Sequence, residues 1–170
     1  MTSLAIGEIT IAYDDQGTGG IPLVLVHGTP FDRSMWRPQL DHLSRSGRRV
    51  IAPDLRGYGE STVVPGVTPL ETFARDIAAL LDRLEVPECV LGGLSMGGQI
   101  VMEFCRLFPG RVRGLVVSAP GGIDDVRPWQ FLTWLYLRTP GMPRLTAAWL
   151  AASPGLLRAS MARSLAAGGR

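Results

Sequence analysis

The chain has no lysine and no asparagine, so all 17 of its basic residues are arginine. Schiff-base chemistry, a phosphate-cradling P-loop and a Ser-Lys mechanism each require a lysine amine and are excluded by that absence. Histidine occurs only at His27 and His42, and cysteine only at Cys89 and Cys105. With no Cys/His cluster at ligand spacing, neither a metal site nor a disulfide framework is expected, and no cofactor is implied. No G-x-G-x-x-G is present. Residues 1–8 hold no basic n-region, and no apolar run is long enough to span a bilayer, so the expectation is a cytoplasmic protein with no membrane partner.

What remains suits one sizeable core: 170 residues, 46% of them hydrophobic. The formal charge of +2 is unevenly distributed. Residues 1–125 carry eleven arginines against all fifteen acids, and residues 126–170 carry six arginines and no acid. That basic stretch has no nucleic-acid recognition motif and is rich in Leu, Ala and Trp, which fits a partly buried helical segment and excludes nucleic acid as the expected partner.

The chemistry concentrates in C-V-L-G-G-L-S-M-G-G, from Cys89 to Gly98. An apolar run, Cys89 to Leu94, leads into Ser95. A helical pattern leaves it, with Ile100, Val101, Phe104, Cys105 and Phe108 on one face and Gln99, Glu103 and Arg106 on the other. A strand-to-helix turn this tight brings the flanking backbones together, so the positions two before and two after the serine must lack bulk, as Gly93 and Gly97 do. Ser95 Oγ is then pushed out at the strand's carboxyl end, where the first amides of the helix, beginning with Met96, point at any anion forming beside it. This is the G-x-S-x-G nucleophile elbow, although a Gly-rich turn of purely structural purpose has the same pattern. Cys89 and Cys105 read as small core residues on either side of it.

In chain order, Leu4–Ile6 and Glu8–Tyr13 form a hairpin around Gly7, followed by a Gly-rich loop over Gln16–Gly20. Pro22–Val26 is apolar throughout and suits a central parallel strand ending at His27. A helix then turns Trp36, Leu40 and Leu43 inward, with His42 on its solvated side, and Arg49–Pro53 is another strand, ending at Asp54. Thr68-Pro69-Leu70-Glu71 reads as a capping box with proline at the first helical position, opening a helix whose stripe is Leu70, Phe73, Ile77, Leu80, Leu81 and Leu84. After the elbow helix, Val112–Ser118 is one more strand. Alternating apolar strands and helices argue for an α/β fold, a mostly parallel sheet with helices on both faces. His27, Asp54, Ser95 and the loop Ala119–Asp125 all stand at carboxyl ends of strands and can converge on one crevice. His27, Asp54 and Arg56 read first as residues that brace their loops.

H-G-T-P from His27 with Trp36 beyond it, P-D-L-R-G-Y-G-E-S from Pro53 and G-L-S-M-G-G from Gly93 occur in that order. Together they resemble the N-terminal part of the α/β-hydrolase superfamily, in the branch of haloperoxidase-like perhydrolases, esterases and enol-lactonases. The resemblance runs from residue 1 to about Pro120. It implies Ser95 as nucleophile, with the amides of Thr29 and Met96 as oxyanion hole, a small acyl compound as substrate, and a core at 1–122 followed by the beginning of a helical lid at 123–170. A serine at the elbow, where haloalkane dehalogenases and epoxide hydrolases of this fold use aspartate, argues against their chemistry. The sequence departs from the family in one respect: no histidine follows Ser95, whereas the triad order is Ser, Asp or Glu, His. Asp124 and Asp125 are acid candidates only by their place after the sixth strand. The chain is therefore expected to end in the lid before the last two strands, and to be inactive or very weak as an esterase or lactonase without a base. The alternative is a non-catalytic binder of small acyl ligands or of a partner. Val112–Ser118, lacking a neighbour, is expected to expose an edge through which copies self-associate.

Overall fold

A computed structural model describes residues 2–120. The described elements are β1 (Thr2–Ile6), β2 (Ile9–Gln16), β3 (Gly19–Val26), a 3-10 turn (Arg33–Trp36), α1 (Arg37–Arg45), β4 (Arg48–Pro53), α2 (Leu70–Arg83), β5 (Cys89–Leu94), α3 (Met96–Leu107), a second 3-10 turn (Pro109–Arg111) and β6 (Val112–Ser118). The strands form one sheet in the order β1-β2-β4-β3-β5-β6. The hairpin β1–β2 and the pair β2–β4 are antiparallel, and the remaining neighbours are parallel. From β3 the chain adds β4 on one side and then crosses back to add β5 on the other. The sheet's winding therefore reverses between β3 and β5, the place where open α/β sheets hold ligands at their carboxyl ends.

Alternation along β3 fills both faces. Val24 and Val26 join Phe73, Ile77 and Leu81 of α2 and Ile100, Val101 and Phe104 of α3 in the larger core. Leu23 and Leu25 turn the other way, onto Leu40 of α1 with Val50 and Ala52, and Trp36 and Leu43 close that layer. Both faces of the central strand are apolar because both are covered. Cys89 is fully buried, and burial pushes its thiol up to about 11, which keeps it inert.

Some local expectations change. The Gly-rich loop is shorter than the sequence suggests, because Gln16 still pairs with Val50 and Gly19 with Arg48, leaving Gly17 and Thr18 as the turn. The capping box does not form. Pro69 is itself the N-cap, with extended backbone at φ −64° and ψ 151°, and no side chain caps the helix. Its carbonyl takes the first helical bonds, from Thr72 and Phe73 N–H at 3.0 and 3.4 Å, so Thr68 lies one position too early to serve. Leu70, the first residue of the expected stripe, is 37% exposed, whereas Phe73, Ile77, Leu80 and Leu81 are buried as expected. The boundary at 122, the lid over 123–170, and Asp124 and Asp125 lie outside the described residues.

Candidate active site

Ser95 links β5 to α3 in a backbone conformation that costs energy for a residue with a Cβ, φ +54° and ψ −118°. The turn is held from both sides: Ser95 N–H donates to the Ser118 carbonyl of β6 at 2.9 Å, and the Ser95 carbonyl accepts from Gln99 N–H at 3.2 Å. The two flanking glycines answer to different neighbours. A Cβ on Gly93 would collide with the Gly97 carbonyl, the closure of the turn on itself that the motif implies. A Cβ on Gly97 would instead strike the carbonyls of Val26 and His27 at the end of β3. A third glycine, unassigned from the sequence, completes the contact: a Cβ on Gly28 would stand 2.6 Å from the Leu94 carbonyl oxygen and 3.0 Å from Ser95 Cβ. The H-G of the loop after β3 is thus read by backbone apposition to the serine, a requirement that the spacing of the elbow motif alone does not reveal.

This apposition brings Thr29 and Met96 together. Thr29 Oγ1 donates to Met96 Sδ at 3.1 Å and lies 2.9 Å from the Tyr58 hydroxyl, which is itself 3.8 Å from the same sulfur. Among the described residues, the amides of Thr29 and Met96 have no hydrogen-bond acceptor, and Ser95 Oγ has no hydrogen-bond partner. The residues provide a serine hydroxyl and two unengaged amides at one end of the β3–β5 boundary, and they place no histidine or carboxylate on that hydroxyl.

Buried polar groups brace the surrounding loops. His27 is 0% exposed; its Nε2 accepts from Leu55 N–H at 3.1 Å, so Nδ1 carries the proton and donates to the Gly28 carbonyl at 3.1 Å. Burial holds its pKa below the ordinary 6.5, against the opposing pull of the Gly28 carbonyl and of Asp54 and Asp32, and the ring remains neutral. Asp54, also 0% exposed, accepts from Arg33 N–H at 2.7 Å and Glu60 N–H at 2.8 Å and pairs with the Arg33 guanidinium. Arg33 reaches Glu60 and Asp14 as well, which raises its already high pKa despite desolvation. Ser61 accepts from Ala12 N–H at 3.0 Å and donates to the Asp54 carbonyl at 2.8 Å. Asp54 orders its loop as expected; Arg56 instead ties that loop to α2 through both oxygens of Asp76, at 2.5 Å each. Arg33 carries no motif that would have announced its role, since its three acidic partners come from distant parts of the chain. His42 is exposed on α1.

Fold and site together describe a sheet covered on both faces whose switch point holds a strained serine. The family profile for the alpha/beta hydrolase fold matches residues 21–146. The chain is 39% identical over 126 residues to the dihydrolipoyllysine-residue acetyltransferase component of the acetoin cleaving system of Pseudomonas putida, a match covering 74% of this chain and 34% of that protein. It is 37% identical over 112 residues to a non-heme chloroperoxidase of Streptomyces lividans, covering 64% and 41%. Its fold superposes on a thermophilic esterase from Thermogutta terrifontis with a TM-score of 0.72 at 41% identity, covering 78% of this chain and 50% of the esterase. The chain belongs to the alpha/beta hydrolase fold family and spans 34% to 50% of the length of these relatives. Among the described residues, no helix is long and apolar enough to cross a membrane.

Proposed function

We propose that this chain is the nucleophile-bearing part of a serine hydrolase that acts on a small carboxylic ester or lactone. Ser95 attacks the acyl carbonyl, the amides of Thr29 and Met96 receive the oxyanion, and water hydrolyses the acyl-enzyme. The observation that carries this reading is the geometry of Ser95: a non-glycine residue at φ +54°, packed against Gly28, with both amides unengaged. The similarity to an esterase at 41% identity supports the ester class.

A serine hydroxyl without a base is a poor nucleophile at neutral pH, and neither histidine of this sequence follows Ser95. The 170-residue chain alone should therefore turn over an activated aryl ester feebly and label slowly with a fluorophosphonate, drawing on the oxyanion amides alone. Adding a C-terminal segment of a related hydrolase that carries the late histidine should raise both rates, and Ser95→Ala should remove the gain. Full esterase activity without the added segment, or activity retained with alanine at 95, would sink the assignment. A second reading rests on the unpartnered Ser95 Oγ: a non-catalytic binder of small acyl compounds. Saturable binding of a short-chain acyl amide that survives Ser95→Ala, with no labelling even after complementation, would favour it. Asp124 and Asp125 have no role in the proposed chemistry of this chain, since it offers no late histidine to orient. We also propose that copies associate through β6, which among the described residues pairs only with β5 and exposes Leu115 and Val116 by 40% and 60%. Sedimentation should then show dimers or larger species that Val116→Lys reduces; a monomer unaffected by that change refutes it.

A further inference from the structure

Three loops, from the carboxyl ends of β3, β4 and β5, meet in one small side-chain cluster: Thr29, Tyr58 and Met96. The Thr29 hydroxyl has a single proton, and Met96 Sδ, which has none, accepts it at 3.1 Å. The contact between Thr29 and Tyr58 at 2.9 Å therefore has Tyr58 as donor. The result is a directional chain, Tyr58 O–H to Thr29 Oγ to Met96 Sδ, while the direct approach of Tyr58 to the sulfur, at 3.8 Å, is the longer alternative. Tyr58 is well placed to anchor this chain. Its amide donates to the Leu55 carbonyl at 3.0 Å, its carbonyl accepts from Ser61 N–H at 3.1 Å, and its ring stands edge-on to the buried His27 with centroids 5.3 Å apart. Thr29, by contrast, is exposed in a loop without regular structure.

We propose that Tyr58 is a positioning residue: through Thr29 Oγ it fixes the spacing of the two peptides whose amides receive the oxyanion. The inference rests on the serine-hydrolase reading, because it assigns a role to those amides. The side chains of Thr29 and Met96 are joined to each other, so the two amides do not move independently, and the third member ties the pair to the hydrogen-bonded turn after β4. Removing the Tyr58 hydroxyl leaves its ring on His27 but leaves the Thr29 hydroxyl held by the Met96 sulfur alone. The resulting loss falls on the chemical step at Ser95 and leaves ligand affinity intact, since Tyr58 itself contacts neither the nucleophile nor the oxyanion.

The test is two-step labelling of Ser95 in the 170-residue chain by a fluorophosphonate, which separates the affinity of the initial encounter from the rate of phosphonylation. Tyr58→Phe and Thr29→Val should each slow phosphonylation by about fivefold, the factor set by one neutral hydrogen bond, with encounter affinity and melting temperature unchanged. Thr29→Ser, which keeps the hydroxyl, should recover most of the phosphonylation rate lost in Thr29→Val. Sulfoxidation of Met96 by peroxide, followed by peptide mass spectrometry against Met35 as internal reference, gives a readout independent of Ser95. Thr29→Val should accelerate it by uncovering the thioether lone pair, and Tyr58→Phe should do so to a smaller degree. Parent-rate phosphonylation in Tyr58→Phe, a change confined to affinity, or Met96 oxidation indifferent to Thr29→Val would each overturn the positioning role while leaving the serine assignment intact. A parent chain that takes no label under any condition overturns both, and is distinguished by that silence.

Discussion

The two sides of the Ser95 turn are held by different forces. Around the β5–α3 turn, placement is steric: Gly93, Gly97 and, facing them from the loop after β3, Gly28 are points where backbone meets backbone, and any side chain there would collide with a carbonyl. On the side of the loops after β3 and β4, placement is electrostatic: His27, Asp54, Ser61 and Arg33 bridge segments that otherwise make little regular structure. Backbone contact at these glycines is indifferent to pH and salt and fails when bulk is added. Hydrogen bonds among buried polar groups fail when a partner is removed or a proton is gained. Such an assembly holds Ser95 by packing while the loop that carries Thr29 depends on solution conditions.

The largest expected effect separates the two. Asp54→Ala removes a fully buried carboxylate from the Arg33 guanidinium and two amides, and should destabilise by about 3–5 kcal/mol, as for other broken buried pairs. Urea unfolding should show the loss. Hydrogen exchange should place the loosening in residues 27–33 and 54–60 while β5 and α3 keep their protection; uniform loosening would dissolve the distinction. A smaller cost, about 1–3 kcal/mol for overpacking, is expected for Gly97→Ala, whose Cβ must push α3 away from the Val26 and His27 carbonyls. Here the exchange pattern should reverse, and the penalty should be the same at pH 5 and pH 8. The smallest effect tests the proton sensitivity of the polar side. Because burial lowers the pKa of His27, the unfolded chain takes up a proton below about 6.5 that the native ring refuses. Stability contributed by the neutral ring is therefore complete above that pH and declines as pH falls toward the lowered native value. His27→Gln should be less stable at neutral pH but should lack this slope between pH 6.5 and 5. An unchanged slope would mean that another group titrates there.

Much of this was legible beforehand because it lies in local pattern. Cys89–Leu94 followed by the stripe Ile100, Val101, Phe104 defines strand, turn and helix by its apolar periodicity, and the observed β5 and α3 match it. The continuous apolar run before His27 marked the central strand, whereas the reversal of winding beside it is seen only in the order of strands in the sheet. The cap of α2 was misread because Thr68-Pro69 satisfies the pattern of a capping box one residue early, and only the extended backbone of Pro69 shows where the helix starts.

By itself, the sequence determined the chemical inventory: a serine between two glycines, no lysine, no histidine after position 42, and a binary pattern that allows only a covered, mostly parallel sheet. Those are properties of residue type and near-neighbour spacing. The tertiary structure alone decided that Gly97 answers to β3, that Gly28 lies against Ser95, that Arg33 collects Asp14, Asp54 and Glu60, and that Tyr58, Thr29 and Met96 form one cluster. Each of these joins segments that lead into or out of different strands, and such contacts are set by the register of β2, β3, β4 and β5, which no local pattern encodes.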